Sequence, residues 1–243
     1  MTDLWREELI PVNPFSRPGT PIRAIRNIVI HYTANPGASA SAHVRYFGQT
    51  LARQDPNDST PDRYASAHLF VDPGEAVLII PLNEMAYHAS QANPYSVGVE
   101  LCIESDGTFH PETVRRAAKI VAELCRKYGL NPLRDVIRHY DVTGKICPKP
   151  YVIDPWAWQA FRELVDRIMK GKESEETVKL EQWQWKMLGD ALDGLYRKTT
   201  SGELPGGITD YRWAEKAYKG ELTADELAWL NMIVFARQQG IQV

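Results

Sequence analysis

The sequence predicts an α/β fold followed by a small all-helical module, and three observations carry that reading. Short β-branched runs alternate with amphipathic helical patterns between residues 27 and 170, the order produced by a central sheet flanked by helices. Residues 171–177 contain no apolar side chain, so residues 171–179 read as a linker. Beyond them the strand signals stop, and apolar residues recur only at helical spacing. The expected division is residues 1–170, a linker at 171–179, and a helical module at 180–243.

The elements follow in order. Residues 1–26 carry Pro11, Pro14, Pro18 and Pro21 and read as an irregular approach draped over the first domain. Asn27, Ile28, Val29, Ile30 and His31 form a buried strand that ends in a polar residue. Residues 66–72 and 76–80 flank Pro73-Gly74 and predict a hairpin, and residues 96–103 predict a further strand, stopped by Ser105-Asp106-Gly107. Pro111 opens a helix whose apolar face is Val114, Ala117, Ala118, Val121, Leu124, Cys125 and Tyr128, with Gly129 as its stop. A short strand at residues 135–138 runs into His139. Asp154-Pro155 then caps a helix that carries Trp156, Trp158, Phe161, Leu164, Val165 and Ile168.

In the tail, Leu180, Trp183, Met187, Leu188, Ala191, Leu192 and Leu195 make one helical stripe, and Tyr211, Ala214, Ala217 and Tyr218 a shorter one. Thr223 and Glu226 have the spacing of a capping box before a third, containing Leu227, Leu230, Ile233 and Val234. Four of the seven tryptophans lie here, at 183, 185, 213 and 229. Most are expected in the core, since so small a module needs large side chains. Trp185 falls off its stripe and is expected to be exposed.

Composition narrows the function. The chain has 243 residues, 44% hydrophobic and 24% charged, with a net charge of −3, so no broad electrostatic affinity for nucleic acid or an anionic membrane is expected. No run of about 18 apolar residues suggests membrane insertion. The N-terminus lacks the basic and apolar pattern of a secretory signal, so a cytoplasmic location before release is expected. Cys102, Cys125 and Cys147 are an odd, scattered set, which argues against a disulfide framework. Cys102 and Cys125 fall on apolar patterns and read as inert core thiols; His43 and His110 read as surface residues.

The chemistry points to one place. His31 ends a strand, His139 ends another, and Cys147 follows in a glycine-containing loop. Imidazole nitrogen and thiolate sulfur are zinc ligands, and a catalytic zinc takes three protein ligands and leaves a fourth position open. Strand ends converging on one rim can bring the three together. The spacing is not a compact motif, and single histidines are more often packing or surface residues.

Residues 28–34 (IVIHYTA), 67–72 (AHLFVD), 87–89 (YHA), 96–100 (SVGVE) and 138–148 (RHYDVTGKICP) resemble, in that order, the zinc-dependent N-acetylmuramoyl-L-alanine amidases of the type-2 amidase and peptidoglycan recognition protein family. The flavour is that of phage endolysins and prophage wall amidases, and the resemblance covers about residues 20–170. It implies a central mixed sheet flanked by helices, a zinc cleft at the sheet rim, and one Zn2+ held by His31, His139 and Cys147. It implies cleavage of the bond between N-acetylmuramic acid and the L-alanine of the stem peptide by zinc-activated water. Glu100 is then general base and acid, and Lys145 stabilises the oxyanion. A catalytic tyrosine of some members is replaced by Ala67. His68, His88 and Tyr32 are candidates for substrate contact, with a role for the histidines in orienting a zinc ligand as the other reading.

The implied partner is bacterial peptidoglycan. The tail is expected to bind a secondary wall polymer or to pair with a second copy. Two other readings remain open: a non-catalytic peptidoglycan receptor, disfavoured by Cys147, and a cysteine hydrolase using Cys147 with His139 as base.

Overall fold

The computed structural model describes residues 4–57, 59–171 and 180–240. The chain divides into two compact units, Met1–Lys172 and Glu173–Val243. Apart from Gly171, the expected linker lies outside the described residues.

The first unit is built on six strands: β1 (Arg6–Glu7), β2 (Asn27–Tyr32), β3 (Leu69–Val71), β4 (Ala76–Leu78), β5 (Ser96–Leu101) and β6 (Val136–Arg138). Their order across the sheet is β1-β4-β3-β5-β2-β6. All neighbours are parallel except the β3–β4 hairpin, so the sheet is mixed. Period-two alternation sorts the side chains. Ile28, Ile30, Leu69, Val71, Val97, Val99 and Leu101 share one core, with the buried residues of α2 (Pro111–Tyr128) and α6 (Pro155–Met169) packed over them. Val29, His31, Phe70, Gly98 and Glu100 alternate with that set and face the other side.

The helices form where the sequence punctuates them. His110 caps α2, its Nδ1 accepting from Glu112 N at 3.1 Å, and Gly129 closes the helix at φ 66°, where a glycine carries no Cβ penalty. Asp154 caps α6 by accepting from Trp156 N and Ala157 N at 3.0 Å each. Trp158, Phe161, Val165 and Ile168 are buried, whereas Trp156 is 84% exposed; two positions before Trp158, it falls on the opposite face of α6 from the buried row. Burial of each large core side chain stabilises the unit by roughly 1.5–3 kcal/mol.

The proline-rich N-terminal stretch is more ordered than its composition suggests. β1 pairs with β4, Glu8 N donates to Leu78 O at 2.9 Å and Ile10 N to Ile79 O at 3.0 Å. Ile10 and Phe15 are buried. Two strand residues are too few for alternation to reveal. Arg17 then forms a two-pronged ion pair with Glu84, both contacts at 2.8 Å. His43, on α1 (Ala40–Arg45), is buried rather than surface-exposed, stacked on Phe70 with ring centroids 5.3 Å apart.

In the second unit the described residues form α7 (Gln182–Thr200), α8 (Arg212–Lys219) and α9 (Ala224–Gln238). The capping box at Thr223 and Glu226 is present. The buried face of α7 is rotated from the expected stripe. Trp185 packs into the core with Leu188, Leu192 and Leu195, while Trp183 and Met187 are 62% and 61% exposed and Ala191 is exposed. Gly189 accounts for the rotation: a Cβ there would lie 2.4 Å from the Tyr218 ring, so α8 approaches closely at a residue with no hydropathy signal. None of the four tryptophans is fully buried; Leu192, Ile208, Ala214, Ala217, Leu222 and Leu230 form the core instead.

Candidate metal centre

Sheet register assembles the site. His31 of β2 is opposite Glu100 of β5 in a parallel pair, so both side chains leave the same face. Ile30 is opposite Arg138 of β6, and the next residue, His139, begins α4 (His139–Thr143) beside His31. The loop that follows is tightly held. Gly144 ends α4 at φ 78°, Tyr140 N donates to Cys147 O at 2.8 Å, and Cys147 N donates to Lys145 O at 2.7 Å. Arg138 pairs with Asp141 and donates to Tyr151 O at 2.9 Å, fixing the far side of the loop.

The result is a cluster of three buried donors. His31, His139 and Cys147 each place a ligand atom within 4.8 Å of the others, and His31 Nδ1 lies 3.6 Å from Cys147 Sγ. Zinc bonds of about 2.05 Å to nitrogen and 2.3 Å to sulfur at the tetrahedral angle set those atoms about 3.6 Å apart. The donor set fits zinc in its chemistry, and the His31–Cys147 pair fits it in spacing. Three protein ligands leave one position for a reactant.

The electrostatics prepare the two imidazoles for a cation, whereas the thiol and Glu100 need one nearby to ionise. Burial holds the His31 imidazole well below its ordinary value, with His88 and His139 adding to the effect, and burial with Lys145 brings His139 to about 4. Both rings are thus neutral at neutral pH, as coordination requires. Burial and then Glu100 push the Cys147 thiol up to about 12. Burial raises Glu100 to about 8 against the pull of Lys145, and Glu100 Oε2 is a buried oxygen without a hydrogen-bond partner. A divalent charge nearby favours the ionised form of both groups. Lys145 itself is exposed, and its charge reaches His31, His139, Cys147 and Glu100.

The three residues expected at the substrate surface separate. Tyr32 is half-buried, and its hydroxyl is held above the ordinary value by burial, then by Cys147 and Glu100. His68 is fully buried; its Nδ1 accepts from Gly98 N at 3.0 Å and its Nε2 donates to Glu84 O at 2.9 Å. Both its nitrogens are used within the fold, which leaves none for a substrate. His88 is buried against His31, with its Nδ1 3.1 Å from His31 Nε2, a position inside the fold rather than on a cleft surface. Sequence reasoning missed Ser96, 3.3 Å from His88 Nε2, and the reason for Gly98. A glycine inside a β-branched run is a signal of close approach, and a Cβ there would lie 2.7 Å from the His88 ring.

The model of the family described as N-acetylmuramoyl-L-alanine amidase (Amidase_2) matches residues 21–150, the segment that contains all three donors. The chain belongs to this amidase family. Among curated relatives of this amidase-family chain, the N-acetylmuramoyl-L-alanine amidase BlyA of Bacillus subtilis (strain 168) is 45% identical over 189 residues, covering 70% of this chain and 48% of the relative. The N-acetylmuramoyl-L-alanine amidase CwlL of Bacillus licheniformis is 40% identical over 198 residues, covering 76% and 53%. The chain thus spans about half the length of these relatives. The solved catalytic domain of XlyA is 30% identical with a TM-score of 0.54, covering 65% of this chain and 97% of that domain. A structure described as a mutant endolysin from Bacillus subtilis gives the same identity and TM-score.

Proposed function

We propose that the first unit hydrolyses the amide bond between the lactyl group of N-acetylmuramic acid and the L-alanine of the stem peptide, as a phage-type endolysin does. The observation that carries the reading is the convergence of His31, His139 and Cys147 within 4.8 Å on the sheet face that bears Glu100. Zinc bound by those three supplies Lewis acidity toward water and the scissile carbonyl. Glu100 takes the proton of the attacking water at Oε2 and returns it to the departing alanine nitrogen. Lys145 Nζ donates to the carbonyl oxygen as negative charge grows there. The C–N bond breaks, leaving a lactyl carboxylate on the glycan and a free amine on the peptide. Tyr32 is the substrate-side neighbour of Glu100 and Cys147.

The cysteine-hydrolase reading is weaker, because burial pushes the Cys147 thiol up to about 12 and a nucleophilic thiol needs the opposite shift. Digestion of purified peptidoglycan with product mass spectrometry tests the proposal. Free N-terminal alanine, abolished by a zinc chelator and restored by zinc, is expected. Binding without new ends makes the chain a receptor, and activity insensitive to chelator makes it a cysteine enzyme.

The second unit is proposed to hold a secondary wall polymer. Trp183, Trp185, Tyr218, Lys186 and Lys219 line an open groove of about 850 Å3, and aromatic faces beside ammonium groups suit a glycan with anionic substituents. W183A with Y218A should lower cosedimentation with purified walls; an unchanged wall affinity together with a dimer in sedimentation would instead assign this unit to self-association. In the endolysin setting the protein resides in the cytoplasm until release. No helix among the described residues is long and apolar enough to cross a membrane.

A further inference from the structure

The hydrogen bonds behind the metal centre run in one direction only. Ser96 Oγ lies 2.5 Å from Ala92 O, and a carbonyl can only accept, so the single hydroxyl proton of Ser96 is committed there. Toward His88 Nε2, at 3.3 Å, Ser96 must then accept, which places the ring proton of a neutral His88 on Nε2. Its Nδ1 is left bare and faces His31 Nε2 at 3.1 Å. His31 must supply the proton in that contact. Its own Nδ1 is therefore the nitrogen with the free lone pair, and it is the atom 3.6 Å from Cys147 Sγ.

We infer that His88 and Ser96 are positioning residues, a hydrogen-bond relay that locks His31 in the Nε2-protonated tautomer and so presents Nδ1 to the metal. The relay is anchored at both ends of its loop. Asn93 Oδ1 accepts from His88 N at 3.0 Å and from Ala89 N at 2.7 Å, which fixes the His88 backbone. Gly98 provides the seat, since a Cβ there would meet His88 Cγ at 2.7 Å. A ligand imidazole whose second nitrogen is held by an acceptor loses neither tautomer nor orientation energy on coordination. The inference rests on the zinc reading for its consequence, but the tautomers themselves are a property of the protein alone.

Long-range 1H–15N correlation spectra of the full chain read the tautomers directly. Both His31 and His88 are expected to be protonated at Nε2, with zinc bound and without it. A proton on Nδ1 of either ring overturns the relay. S96A removes the acceptor of His88 Nε2–H and should let the Nδ1-protonated form of His88 appear. Zinc affinity, by competition with a chromophoric chelator, gives the second readout. H88L should bind zinc about ten- to a hundred-fold more weakly, whereas H88N, whose Oδ1 can replace the Nδ1 acceptor, should stay within about threefold of the parent. Equal losses in H88L and H88N, or no loss in H88L, refute the positioning role. If H88L does not fold, the spectra of the unsubstituted protein decide. If that protein binds no zinc, the zinc reading fails while the tautomer measurement still judges the relay.

Discussion

At the scale of single residues, the proposed reaction divides labour between groups that would hold the metal and groups that would move protons. Glu100 does not belong to the ligand set, so E100Q should keep its zinc content by atomic absorption while kcat falls roughly 10²- to 10⁴-fold, the range for loss of a general acid or base. K145A should lower kcat about 10²- to 10³-fold with a much smaller change in KM, as expected for a donor that acts on charge present only in the transition state. Single-turnover assays on a soluble muropeptide separate the two effects from wall binding. The nearness of Glu100 and Lys145 to the three donors was legible in the sequence because each stands at the end of a strand pattern or in a short motif. The relay was not: His88 lies in a loop and Ser96, eight residues later, opens β5, and only the fold shows that their polar atoms meet. His68 misled for the same reason, since nothing in the sequence shows that the backbone of Gly98 and Glu84 occupies both its nitrogens.

At the scale of elements, the N-terminal segment is tied to the loop beneath the site by the Arg17–Glu84 pair, whose side chains are 14% and 19% exposed. The Arg17 guanidinium, through its hydrogen bonds, holds the Glu84 carboxyl below the usual range. A carboxylate with a depressed folded-state pKa contributes stability above its unfolded value, near 4.3, and loses it as pH falls through the folded value. E84Q should therefore cost roughly 1–2 kcal/mol at pH 7, with the difference from the parent shrinking below about pH 4; urea melts at several pH values measure it. Strand and helix positions were readable because alternation and capping residues are local. β1 and the phase of α7 were not, because one is only two residues long and the other turns on Gly189, whose importance lies in the ring of Tyr218 packed against it.

At the scale of the whole molecule, the two units have separate cores, and all the donors lie in the first. A chain ending at residue 171 should fold, bind zinc as tightly as the full chain, and retain kcat on a soluble muropeptide; loss of zinc by such a chain would contradict the division. His31 and Cys147, 3.6 Å apart in space, are 116 positions apart along the chain. An unfolded polypeptide does not hold all three donors together, so zinc should bind the folded form far more tightly, and each tenfold rise in free zinc above its dissociation constant should add up to about 1.4 kcal/mol to stability, less whatever the nearby pair His139 and Cys147 binds in the unfolded chain. The midpoint of thermal unfolding should climb accordingly with free zinc. During synthesis the same separation sets a timetable: the nascent chain has no complete set of donors until Cys147 has cleared the ribosome, after every strand of the sheet has already been made.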